Sequence, residues 1–258
     1  MCPVPRTLVF FHAHPDDESL LTAGTMARAA AEGHRVVLLV ATAGEAGLAS
    51  SSVRNRGDLG RIRLDELHRS AAALGVARVV CLEYADSGLH GDVVPTDGRT
   101  TFVTAEFDEA TRRVMDVLAE ESADVLTIYD PAGGYGHPDH VRVHDIGLAA
   151  GTLAKTERIF AATLPREPLD RAVRLVSRVY RFPPEFDPGS FAHAFTLKGD
   201  ITHRVNVRDY VRAKRDSMAA HVTQSTADDG DRTLAAFLRL PMPLFRVLFG
   251  TEYFTRYR

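Results

Sequence analysis

Only two cysteines occur in 258 residues, Cys2 and Cys81. They lie far apart in the chain, so they make neither a disulfide framework nor a cysteine-rich metal centre. Charge of one sign is not in excess either. The 31 Lys and Arg against 34 Asp and Glu leave a net charge of −3 with both signs interspersed, which argues against a nucleic-acid or membrane-surface partner. The apolar run after Thr7 is short and ends in HPDDE, which neither a cleavage site nor a membrane span would contain. A cytoplasmic protein without a membrane span is therefore expected. No Gly-x-Gly-x-x-Gly follows that run, which counts against a non-catalytic nucleotide-binding Rossmann-like module. Linkers, internal repeats and low-complexity stretches are missing as well, and the length suits a single domain over 1–258.

What the chain does hold is a twice-repeated phrase. Leu8–Phe11 reads as a buried strand, and straight after it come His14, Pro15, Asp16, Asp17 and Glu18. Residues 125–129 read as another strand, followed by DPAGGYGHPDH over 130–140. Both junctions open a helix with His-Pro-Asp. Proline suits the first helical position because its missing N–H would be unpaired there anyway. This places His14 and His137 at or near helix caps, with Asp17 and His140 one turn further on the same faces.

Between and beyond these junctions the signals alternate. Strands are expected at 7–13, 35–42, 77–83, 123–129 and 158–164, with helices at 19–32, 57–74, 105–121 and 138–153. Loops are expected at 43–56 and 84–104. The near-continuous apolar strands imply an α/β fold, a Rossmann-like parallel sheet in the order 3-2-1-4-5 with helices on both faces. Right-handed crossovers then set strands 1 and 4 side by side, with both His-Pro-Asp junctions facing one crevice. After residue 164 the pattern changes to a smaller C-terminal α+β cap over 165–258. It holds a helix at 167–180, a break marked by prolines 183, 184 and 188, two short strands in HAFTLKG and ITHRVNV, and a helical KRDSMAAHVTQ. Its apolar tail could pack on the sheet, form a homo-oligomer interface or rim the substrate entrance, packing being the default.

Two imidazoles and one carboxylate, leaving one coordination position open, are what a hydrolytic zinc needs, and His14, Asp17 and His140 supply them. The open position holds water whose pKa falls towards ~7. The same donor set also suits Fe2+. Asp16 is then the candidate base, with a helix-dipole acid as its plainer reading. His137 can donate to an oxyanion, and Asp139 can hold its ring and favour the charged form. Tyr135, between two glycines, is free to swing over a substrate or else simply packs on the surface.

HAHPDDE with a later GGYGHPDH resembles the zinc-dependent N-deacetylases of the PIG-L/LmbE-like family, over about residues 7–160. The resemblance implies metal ligands at His14, Asp17 and His140, a general base at Asp16, an oxyanion-polarising histidine at His137 and its carboxylate partner at Asp139. LGRIRLDELHRSAAALGV and ADSGL are similar to the mycothiol-pathway branch. They imply a substrate-binding arginine at Arg63, with Arg61 the second choice, and a sugar-contacting aspartate at Asp86. TAGEAG and AHVTQ echo the family too, the latter placing His221 and Gln224 near the cleft mouth. The plainer readings are an exposed helix arginine, a turn aspartate and a helix-end glutamine. Residues 165–200 match nothing in that family. The implied activity is removal of the acetyl group from an N-acetylated amino sugar of the N-acetylglucosamine type or its conjugate, a small-molecule substrate. A mycothiol S-conjugate-type amidase is the alternative.

Overall fold

The computed structural model describes residues 4–47, 59–178, 189, 192–225 and 233–258. Cys2, most of the loop expected over 43–56, the first residues of the helix expected at 57 and the prolines at 183–188 lie outside the described residues.

The five apolar runs form β1 (Thr7–His12), β2 (Arg35–Thr42), β3 (Arg78–Tyr84), β4 (Val125–Tyr129) and β5 (Arg158–Thr163). They pair in parallel in the expected order, β3-β2-β1-β4-β5. Side chains alternate across a strand, and here both faces are covered. Val9, Phe11, Val37 and Leu39 point to the layer of α4 (Phe107–Glu120) and α5 (Pro138–Leu153), where Val114, Leu118, Val143 and Ile146 meet them. Phe10, Val36, Leu38 and Val40 point the other way. There they meet Met26 and Ala27 of α2 (Ala23–Ala31) and Leu67, Ala71 and Leu74 of α3 (Leu59–Leu74). The α5 helix lies so close to the sheet that a Cβ on Gly147 would come within 2.5 Å of the Ile128 side chain.

Four expectations are corrected. The helix read over 19–32 is two, α1 (Asp17–Leu21) and α2, broken at Thr22, whose hydroxyl bonds the buried His12 ring at 2.8 Å instead of continuing the helical face. Pro15 is not the first helical residue of α1, because the turn at Asp16 intervenes. The first short strand, in HAFTLKG, does not form; Thr196 makes only a single bridge to Pro165, just before α6 (Arg166–Val176). The sequence reading also lacks a seventh strand. Besides β6 (His203–Asn206), TEYFTR forms β7 (Thr251–Arg256), antiparallel to β5 and to β6. It follows directly on the apolar helix α10 (Met242–Phe249), which hides the change of period.

The rest of the cap is α7 (Val211–Ala220), α8 (Val222–Ser225) and α9 (Thr233–Leu238). Phe245 of α10 packs with Val211, Met218 and Leu234 in a small apolar cluster of its own. Among the described residues no helix is long and apolar enough to cross a membrane.

One buried ion pair fastens this cap to the sheet. Glu252 of β7 accepts the backbone N–H groups of Gly24 (2.9 Å) and Thr25 (2.7 Å) at the start of α2. The Lys214 ammonium bonds both Glu252 (2.5 Å) and the Leu20 carbonyl (2.8 Å). Removing one partner of such a pair leaves a charge buried alone, at a cost of about 3–5 kcal/mol. Glu252→Gln is expected to lower unfolding stability by that order in urea titrations. Adding Lys214→Met should recover part of the loss, because the pair is then removed together.

Candidate active site

The β1–β4 pairing brings the two His-Pro-Asp junctions together, with Phe10 opposite Thr127. After β4 the Asp130 carboxylate accepts the N–H groups of Ala132 (3.1 Å) and Gly134 (3.0 Å), folding the loop back. Gly133 is required there: its φ is +62°, and a Cβ would lie 2.6 Å from the Val141 nitrogen. The loop leaves Tyr135 exposed, its ring 5.1 Å from that of His140 and 6.2 Å from that of His137.

Three of the expected groups converge. Asp17 Oδ2 lies 3.4 Å from His14 Nδ1 and 3.3 Å from His140 Nε2. Donors about 2.0–2.1 Å from a tetrahedral ion stand roughly 3.3 Å apart along each edge, the spacing of both edges that meet at Asp17 Oδ2. The His140 ring, stacked on Tyr129 at 4.4 Å, keeps a buried Nε2 that faces Asp17 at 3.3 Å without an aligned hydrogen bond. A buried nitrogen is rarely left so unless something else binds it. A ring nitrogen of His137 is also within 4.8 Å of those of His14 and His140, and His14, Asp86 and Asp139 form a second such group. The donors present therefore fit a divalent ion. The field favours one too. Desolvation alone would lower His14, yet hydrogen bonds to Asp139, Asp17 and Asp86 hold it well above the usual imidazole value. Asp17, which desolvation would raise, is held well below the carboxylate range by His140 and His14.

Asp16 sits at the start of α1 with φ +105°, a conformation that costs a non-glycine residue about 1–3 kcal/mol and persists only when its surroundings impose it. Its N–H donates to Glu18 (3.0 Å), and its carbonyl accepts the Ser19 N–H (3.0 Å) and hydroxyl (2.6 Å). Desolvation pushes the Asp16 carboxyl up to about 6, against the pull of Arg63. Glu18 is fully buried in the first turn of α1, and it accepts from Ser70 and His221.

The remaining expected residues have the following partners. The Asp139 carboxylate does not hold His137. It accepts from the Ser87 hydroxyl (2.6 Å), the Ser87 N–H (3.1 Å) and His14 Nε2 (3.1 Å). His137 caps α5, its Nδ1 accepting the Asp139 N–H at 3.2 Å. That bond puts the proton of a neutral ring on Nε2. Desolvation, with His14 and His140 beside it, lowers His137 to about 3, so the charged form is not the favoured one. Arg63 is 3% exposed, donates to the Gly44 and Pro15 carbonyls and stands 3.4 Å from Asp16, so it faces the Asp16 turn rather than open solvent. Arg61 is exposed, in an i,i+4 pair with Asp65. Asp86 is buried, accepts from Gly88 (2.8 Å) and Ala46 (3.2 Å), and lies 3.5 Å from His14. His221 is fully buried behind Asp16, not at the cleft mouth.

Sequence reasoning missed Ser87, Tyr129 and the anchoring role of Glu18. Ser87 stands inside the quoted ADSGL and Glu18 inside HPDDE, so both are in view, but nothing in the letters says which way they point. Tyr129 closes an apolar strand and reads as core. Its hydroxyl in fact bonds His12 at 3.0 Å while its ring carries His140.

With this geometry in place, comparisons with known proteins are specific. The family described as PIG-L, GlcNAc-PI de-N-acetylase, matches residues 9–151. A 1D-myo-inositol 2-acetamido-2-deoxy-alpha-D-glucopyranoside deacetylase of Thermobifida fusca is 34% identical over 97% of this chain and 92% of that protein. One of the same description from Rhodococcus opacus is 36% identical over 86% of this chain and 82% of that one. Among solved structures, the N,N'-diacetylchitobiose deacetylase of Pyrococcus horikoshii matches with a TM-score of 0.61 at 20% identity, over 97% of this chain and 83% of that one. At that identity the likeness speaks for the fold alone.

Proposed function

The chain belongs to the PIG-L family of de-N-acetylases, and from that premise we propose that it hydrolyses the acetamide of an N-acetylated amino sugar or its conjugate. The observation that carries this reading is the meeting of His14, Asp17 and His140 beside a carboxylate poised near 6 and a neutral imidazole. Those three residues would hold the ion. Two imidazoles and a carboxylate favour zinc, and the same set accommodates Fe2+. When bound, the metal supplies Lewis-acid polarisation of the amide carbonyl and acidifies a water.

This chain's own groups then divide the proton work. Asp16 takes the proton of the attacking water as the water oxygen adds to the acetamide carbon. His137 donates its Nε2–H to the carbonyl oxygen as negative charge develops there, and being neutral it keeps that proton. Asp16 returns its proton to the amine nitrogen as the C–N bond breaks, releasing acetate and the free amino sugar. Arg63 orients Asp16, and Tyr135, exposed at the rim, is the hydroxyl within reach of a bound sugar. Asp86 and Asp139 together hold His14 by its Nε2, as a carboxylate commonly orients a metal-binding histidine.

Amine release from N-acetylglucosaminyl-inositol, assayed after chelation and again after zinc is restored, tests the proposal. Activity should vanish and return. A fully metal-loaded protein that frees no amine from any N-acetylated amino sugar would overturn it. Asp139→Asn is expected to weaken zinc binding about 10–100-fold, read by competition with a chromophoric chelator, because His14 loses its carboxylate partner.

A further inference from the structure

We propose that His221, through its buried hydrogen bond to Glu18, is a positioning residue for Asp16. The inference rests on the role assigned to Asp16 above and adds to it what holds that group in place. A left-handed aspartate at the start of a helix has no intrinsic reason to stay there, so its restraints matter. One of them is the bond from its N–H to Glu18 Oε2 at 3.0 Å. Glu18 follows the ion-facing Asp17 directly and bonds groups of α3 and the cap: the Ser70 hydroxyl and His221 Nε2, each 2.6 Å from Oε1. Ser70 is shared in turn with Ser217 at 2.7 Å. Glu18 and His221 are both without solvent exposure.

A carboxylate in such a place persists only when hydrogen-bond donors satisfy it. His221 Nε2 is the donor that the cap brings to Glu18, from 203 residues away. Without it, among the described residues, Glu18 keeps the Ser70 hydroxyl and the Asp16 amide for a full buried charge. Its relief is to turn towards water, and turning releases the Asp16 amide. The backbone that carries His221 is fixed independently. The next residue but one, Thr223, bonds the buried Glu66 of α3 through its N–H (2.8 Å) and hydroxyl (2.6 Å). Loss of the imidazole alone therefore need not unfasten the cap. In this arrangement the C-terminal segment, matched by no motif beyond AHVTQ, determines where the catalytic carboxylate stands.

His221→Leu and His221→Gln test it in the metal-loaded full chain. Leucine fills the space without a donor, whereas glutamine can still donate to Glu18. For His221→Leu we expect kcat to fall about 10–100-fold with KM and metal content unchanged. Amide exchange measured by mass spectrometry should quicken over residues 13–20 but not in α3 or α5. Glutamine should restore most of kcat and the slow exchange. Unchanged exchange over 13–20 would overturn the proposal. So would loss of metal in step with kcat, or a glutamine variant as impaired as leucine. If the wild-type protein frees no amine at all, the exchange pattern still decides whether His221 holds the Asp16 turn, while the deacetylase reading falls separately.

Discussion

Asp16→Asn is expected to lower kcat by about 10²–10⁴-fold, the range general-base catalysis supplies, with metal content unchanged. Asparagine is the informative replacement. It keeps the shape of the side chain and, unlike alanine, tolerates positive φ, so the +105° backbone can persist. Arg63, at 3.4 Å, keeps an oxygen to face. What asparagine cannot do is accept the proton of the attacking water. Stopped assays on amine release and elemental analysis of the same preparation check both halves. Full turnover in the Asp16→Asn protein would move the base elsewhere, and metal loss would mean that residue 16 helps hold the ion.

The pH dependence follows with a definite sign. Reaction requires the Asp16 carboxylate, and desolvation raises its pKa to about 6. Activity is therefore present above that value and lost as pH falls through it. A dication beside Asp16 favours the charged form, so in the loaded enzyme the acid limb of kcat/KM should lie at or below about 6 and should be absent from the residual rate of Asp16→Asn. An acid limb that persists in the asparagine variant would assign it to another group.

The parallel half of the fold was legible because its strands are continuous apolar runs, punctuated by helices ending at Gly33 and Gly75, both with positive φ. Topology then did the rest: once β1 and β4 are neighbours, His14 and His140 must approach one another. Direction was not legible. A spacing of three or four residues says that two side chains share a face, but not which of several carboxylates in reach a ring will take. The resemblance assigns Asp139 to His137, yet the carboxylate bonds His14 and Ser87, and His137 Nδ1, an acceptor for the Asp139 N–H, has no proton to offer it. Arg63 and His221 illustrate a second limit. Motif likeness places Arg63 at the substrate and His221 near the cleft mouth, and it does not tell that both are buried, one donating to the Gly44 and Pro15 carbonyls and the other bonding Glu18. The strand β7 escaped for a local reason, since Glu252, which looks like a solvent residue in an alternating strand, is the buried partner of Lys214.

His140→Ala is expected to abolish stable metal binding and with it turnover. In the proposed site the imidazole is one of three protein donors, the number a catalytic zinc site uses. Its buried Nε2 faces Asp17 at 3.3 Å, so its removal takes away one of the two imidazole donors beside that carboxylate. The change also removes a ring stacked on Tyr129 and leaves a gap at the end of β4. Structural loss must therefore be separated from metal loss. Unfolding of both proteins in chelator makes the separation: the difference between them there is the packing cost alone. The further difference that appears when zinc is added is the binding that His140 contributes, since a ligand stabilises only the state that binds it. Zinc should raise the midpoint of the wild-type protein and leave that of the alanine variant unmoved. An alanine variant that still gains stability from zinc and purifies with about one ion per chain would show that His137, whose ring nitrogen is also within reach of His14, can complete the site in its place. The assignment of His137 to the oxyanion would then have to be withdrawn.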